Sequence, residues 1–101
     1  MKVNKWRELI KNLRTYYPLS VPVTVRRVKM RDCARTNFNG CKFSIAVNKD
    51  QPDIGLIDSL LHEWSHCLAI EEAYSHDGRW SVIFGEMYED WVHGFEREED
   101  E

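Results

Sequence analysis

Apolar residues recur at Val3, Trp6, Leu9, Ile10, Leu13 and Tyr17, with lysines and arginines between them. That spacing of three and four predicts an amphipathic helix over Asn4 to Tyr17. Pro18 ends it, because a proline disfavours helical geometry in the residue before it. The period then changes. VPVTVRRVKM, residues 21–30, is rich in β-branched residues and partly alternates, which predicts a strand whose start Pro22 limits. Two more β-like runs, CARTNF (33–38) and CKFSIAV (41–47), flank Asn39-Gly40. In the second, Phe43, Ile45 and Val47 alternate with Lys42, Ser44 and Ala46. Asn-Gly predicts a type I′ hairpin, since both central positions of that turn need positive φ. Three such runs in succession predict a three-stranded antiparallel meander.

KDQPD, residues 49–53, is a loop, and Pro52 or Asp53 starts a helix running from about Ile54 to Glu72. Ser75-His76-Asp77-Gly78 breaks it. Asp77 is the expected N-cap of a last helix, roughly Gly78 to Phe95, with Trp80, Ile83, Phe84, Met87, Tyr88 and Trp91 on one stripe. Gly94 is placed to cap that helix, and His93 suits the negative end of its dipole. The charge run EREEDE that follows is expected to fray, with residues 97–101 a disordered acidic tail. No repeat or linker divides the chain. Residues 1–101 therefore read as one α+β domain, a helix and a sheet followed by two helices.

At 101 residues, one domain with a modest core is the natural size. No apolar run approaches the roughly 20 residues of a membrane-spanning helix, and the charged N-terminus lacks a signal-peptide core. The expected compartment is cytoplasmic, with no membrane partner. Cys33, Cys41 and Cys67 form an odd set without Cys-x-x-Cys spacing, so they read as free thiols. Charge is divided sharply. Residues 1–50 carry 12 Lys and Arg against 3 Asp and Glu, a balance of +9; the remainder carry 2 against 14, a balance of −12, which together give the −3 of the chain. A basic half can mark an anionic partner such as nucleic acid. Because the basic residues are scattered, the favoured expectation is that the halves fold together and partly neutralise.

The chemistry concentrates in LHEWSHCLAI, residues 61–70, where two histidines and a glutamate interrupt an apolar helical stretch. His62-Glu63-Trp64-Ser65-His66 is an HExxH sequence. On a helix, positions i and i+4 share a face, with Cβ atoms about 6 Å apart. Both imidazoles can then reach one zinc ion at roughly 2.0–2.1 Å. Glu63 stands about 100° round the helix from His62, close enough to reach a metal-bound water without ligating the metal. Zinc lowers the pKa of such a water to near 7, and the carboxylate is the expected general base.

A catalytic zinc usually takes three protein ligands and keeps a fourth position open. Glu72 falls where the compact HExxHxxGxxH pattern has its last histidine, but Ala69 replaces the turn glycine and an unbroken helix carries Glu72 to the wrong face. His76, at the break, and Glu86, 20 residues past His66 on the next helix, are the principal candidates. Tyr74, Arg79, Tyr88 and His93 are candidates for oxyanion stabilisation. Tyr88 and His93 read more readily as core and dipole residues, and Trp64 and Trp80 as packing.

HEWSHCLAI followed by SHDGRWSVIFGEMY resembles the SprT-like zincin metalloproteases, the group that includes Spartan-type proteases. In that family the HExxH helix is followed by a third histidine, then closely by glycine and an aromatic residue entering another helix. His76-Asp77-Gly78-Arg79-Trp80 matches in type, with Asp77 inserted. The specific part covers residues 62–80. The resemblance implies a minimal zincin-like fold and zinc-dependent peptide hydrolysis, with His62, His66 and His76 as ligands, Glu63 as general base and a polypeptide substrate. It implies that the substrate is received by β-addition on an edge strand before the active helix. DNA or a DNA-bound protein is a weaker implied partner, since the chain carries no zinc ribbon. The rival reading is a non-catalytic, zinc-stabilised module that binds DNA or protein. A third is an interaction domain that holds no metal.

Overall fold

The computed structural model describes residues 1–71 and 78–95. They form α1 (Val3–Tyr16), β1 (Val23–Val28), β2 (Ala34–Phe38), β3 (Phe43–Asn48), α2 (Asp53–Glu71) and α3 (Gly78–Val92). This is the expected α+β order. The expected Asp77 cap and the acidic tail lie outside the described residues.

The sheet is not a meander. Its spatial order is β1-β3-β2, with β1 parallel to β3 and β2 antiparallel to it. The expectation of an all-antiparallel sheet is therefore corrected to a mixed one. The reason lies in composition. Phe43, Ile45 and Val47 of β3 are wholly buried, whereas β2, ARTNF, carries an arginine and an asparagine. A polar strand is tolerated at an edge, and an apolar one belongs in the centre. Residues 29–33 therefore carry the chain past the end of β3 to the far edge. The Asn39-Gly40 turn joins β2 to β3 as expected, but not as type I′. Gly40 has φ of 93° and Asn39 does not take a positive φ. The Asn39 side chain instead accepts the Cys41 and Lys42 N–H groups, both at 2.8 Å, an Asx-type turn.

All three helices contribute to one core. α1 buries Trp6, Leu9 and Leu13 along one stripe, as its period dictates. The Arg27 guanidinium lies 5.3 Å from the Trp6 ring centroid, a cation–π contact between β1 and α1. α2 is buried on most of its circumference, by Leu56, Ile57, Leu60, Leu61, Trp64 and Cys67, because it passes between the sheet and α3. Tyr17 joins the helices: its carbonyl accepts the Trp64 indole N–H at 2.9 Å, and its hydroxyl bonds the Asp90 carboxylate. At the end of α2 the Glu71 carboxylate accepts the Ser20 N–H and O–H and the Val21 N–H, at 2.8 to 3.2 Å, and so anchors the segment entering β1. α3 closes in a Schellman arrangement. Phe95 N–H donates to Asp90 C=O at 2.7 Å and Gly94 N–H to Trp91 C=O at 2.9 Å, with Gly94 at φ 68°.

Among the described residues, no Lys or Arg of the first half lies within 4.0 Å of a carboxylate of the second; the ion pairs are Met1 amine to Asp53 and Arg35 to Asp32. No helix among the described residues is long and apolar enough to cross a membrane.

Candidate metal centre

The helical spacing of HExxH does what it predicts. His62 and His66 come out of α2 on the same side, and their Nε2 atoms face one another at 2.9 Å. Ligand atoms of His62, Glu63 and His66 all lie within 4.8 Å of each other. Two imidazole nitrogens that close either share one N–H, one ring donating and the other accepting, or hold a metal between them. Two zinc bonds of 2.0–2.1 Å at a tetrahedral angle span about 3.3 Å, so an opening of a few tenths of an ångström would admit the metal. The two borderline imidazole nitrogens suit zinc, with the Glu63 carboxylate beside them.

The surroundings are apolar and partly closed. The Trp80 ring of α3 stacks on His66, at 5.0 Å between centroids and 18° between planes, and meets His62 edge-on at 4.9 Å. Phe84 adds a second edge contact to His62 at 5.8 Å. The aromatic row continues along α3 through Tyr88 and Trp91. This wall excludes water from one side of the imidazoles and restricts their rotation.

Glu63 is 8% exposed. Burial pushes its carboxyl above the ordinary 4.5, and the nearby His62 and Thr36 side chains pull it back in part. Thr36 stands on β2 beside Ile45 of β3, on the face of the sheet that α2 covers. Its hydroxyl is shut off from solvent and, although close enough to influence Glu63 and Cys67, closes no hydrogen bond of ordinary length and angle. Cys67 is buried, its thiol pushed up to about 12 by desolvation and by the charges of Glu63 and Glu71. It behaves as a small apolar residue, as expected for a free cysteine. Cys33 and Cys41 are free and exposed.

His76, Glu72 and Tyr74 lie outside the described residues, as does the Arg79 side chain. Glu86 is exposed on α3, facing a depression lined by Tyr17 and Leu68, and is not part of the group around His62. Tyr88 sits in the aromatic row, and His93 is exposed beyond α3. Trp64 is the packing residue its apolar setting suggests, whereas Trp80 touches both site imidazoles. Its position on the same helical stripe as Phe84 carried that signal. Thr36 carried none. The strand ahead of α2 is the central β3; the edge strand beside the site is β2, which corrects the strand order expected for β-addition. No protein-family model, curated protein or solved structure matches the chain.

Proposed function

We propose that the chain is a zinc-dependent metallopeptidase of SprT-like type. The observation that carries this reading is the pair of Nε2 atoms 2.9 Å apart with the Glu63 carboxyl beside them. His62 and His66 would hold the metal, and His76 is the sequence-based choice for the third ligand. When bound, zinc supplies Lewis acidity and lowers the pKa of a coordinated water. Glu63 accepts a proton at its carboxylate and returns it to the leaving amine. Burial raises that carboxyl's affinity for protons, the direction that taking up a proton favours. Trp80 and Phe84 hold the imidazoles in place and keep bulk water off one side. β2, the edge strand next to Glu63, is the strand on which an extended substrate would pair.

Elemental analysis of wild type beside His62→Ala and His76→Ala tests the metal. About one zinc per chain is expected in wild type and a clear loss in both variants. Zinc retained in His76→Ala moves the third ligand elsewhere; no zinc in wild type after reconstitution removes the reading. Glu63→Gln separates the enzyme from the purely structural zinc module. It should keep the metal and lose about 10²–10⁴-fold in hydrolysis of an unfolded protein such as casein. Full turnover in that variant would exclude Glu63 as the base.

A further inference from the structure

One flank of the metal group opens into a depression of about 270 Å³. His62 and Glu63 line it from α2, and Cys33 and Ala34 line it from the start of β2. Sites that take whole small ligands run to roughly 300–1,000 Å³. This one is the size of a single side chain.

Its polar inventory decides which kind. Gln51 and Ser59 also line the depression, but their groups are committed to the fold. The Gln51 amide donates to the Cys33 and Asn48 carbonyls, each at 2.9 Å, and its carbonyl accepts the Ser59 hydroxyl at 3.1 Å. Cys33 brings a thiol, a weak donor at best. Asp58 is different. It lies one turn before His62, so that Asp58, His62 and His66 fall on one face of α2 with neighbouring Cβ atoms about 6 Å apart. It lines the depression, is exposed, and makes no hydrogen bond or ion pair among the described residues. Apart from the His62 ring, which belongs to the metal group, the uncommitted side-chain groups around this space are the Asp58 and Glu63 carboxylates, which are acceptors. The complement is a group that only donates and carries positive charge, an ammonium or a guanidinium. An anionic side chain would be repelled, and an apolar one would displace water from Asp58 without replacing it.

We propose that this depression receives a lysine or arginine side chain of the polypeptide substrate, adjoining the scissile bond, with Asp58 as its counter-charge. The inference rests on the metallopeptidase reading and adds a substrate class to it.

The test uses zinc-loaded full chain and metal-binding probes that differ only in side chain. Acetohydroxamic acid has none; the N-acetyl hydroxamates of lysine, norleucine and glutamic acid supply cationic, apolar and anionic ones. Dissociation constants are measured by calorimetry at low ionic strength, where charge discrimination is largest. The lysyl probe should bind about fivefold more tightly than the norleucyl one, as for a partly exposed ion pair, with the glutamyl probe weakest. Asp58→Asn should bring lysyl and norleucyl probes level and leave acetohydroxamate unchanged. Asp58→Lys should shift the preference to the glutamyl probe. If acetohydroxamate binds but the lysyl preference is absent, or survives in Asp58→Asn, this assignment is wrong and the metal centre stands. If wild type holds no zinc, or its zinc takes no acetohydroxamate, the metallopeptidase reading falls and the assignment falls with it.

Discussion

Gln51 and Ser59 form one polar cluster against α2; His62, Glu63, His66 and Thr36 form another, a single helical turn further on. In the first, every group has a partner supplied by the fold: two carbonyls for the Gln51 amide, and the Ser59 hydroxyl for its oxygen. It ties the start of β2 and the end of β3 to the helix. In the second, two imidazole nitrogens point at each other, a carboxyl sits buried above its ordinary pKa, and a hydroxyl is closed off without a proper bond. Burying such groups costs stability that an apolar residue would not. Polar groups that complete one another are scaffold. The second cluster instead brings ligand atoms of His62, Glu63 and His66 within 4.8 Å of one another, the arrangement on which the metal proposal rests.

The comparison breaks most visibly when the second cluster loses a ligand. Zinc at about a hundredfold excess over its dissociation constant stabilises the folded state by roughly 2.7 kcal/mol. For a domain of this size that is on the order of 10–20 °C in melting temperature. His66→Ala should abolish most of the zinc-induced rise measured by scanning calorimetry. A variant that still gains as much as wild type would place the metal somewhere else. The converse change sharpens the contrast. Gln51→Ala leaves two carbonyls and a hydroxyl without their partner, so the metal-free protein should lose about 1–2 kcal/mol. Its zinc affinity should not change, because the hydrogen bonds of Gln51 go to Cys33, Asn48 and Ser59 and not to the second cluster. A joint loss of stability and zinc affinity would mean that the two clusters act as one.

How far these clusters could be read from the sequence depended on periodicity. The i, i+4 spacing of His62 and His66 was enough to place both rings on one face, because local helical geometry alone dictates it. The apolar alternation of Phe43, Ile45 and Val47 identified the most buried strand. Strand order was a non-local matter. The polar run ARTNF hinted that β2 belongs at an edge, but a hairpin signal at Asn39-Gly40 fixes only the β2–β3 pairing and leaves β1 free to choose a side. Thr36 reaches the site through that pairing and through the helix laid across it, so no local pattern could reveal it. The same holds for the Gln51 clamp, which joins residues 18 and 8 positions apart in sequence. Trp80 lay between, visible as part of a stripe, while its partners became evident only once α3 was packed on α2.

The smallest effect is also the most discriminating, because it concerns sign. Thr36→Val replaces a hydroxyl by a methyl group of nearly the same shape. In metal-free protein the hydroxyl is buried and closes no ordinary hydrogen bond, so removing it relieves a desolvation cost, and the variant should be more stable by up to about 1 kcal/mol. Ser59→Ala removes a hydroxyl that is bonded, to Gln51 at 3.1 Å, and should cost about 0.5–1.5 kcal/mol. Denaturant unfolding of both, after chelation, measures the two signs directly, with equal slopes as the check that only stability has changed. Opposite signs from the same chemical deletion, one helical turn apart, would establish that one cluster is complete and the other is not. If Thr36→Val instead destabilises as much as Ser59→Ala, the hydroxyl is bonded to Glu63 in solution. The second cluster is then as closed as the first, and its polar groups no longer argue for an external ligand beyond the two histidines themselves.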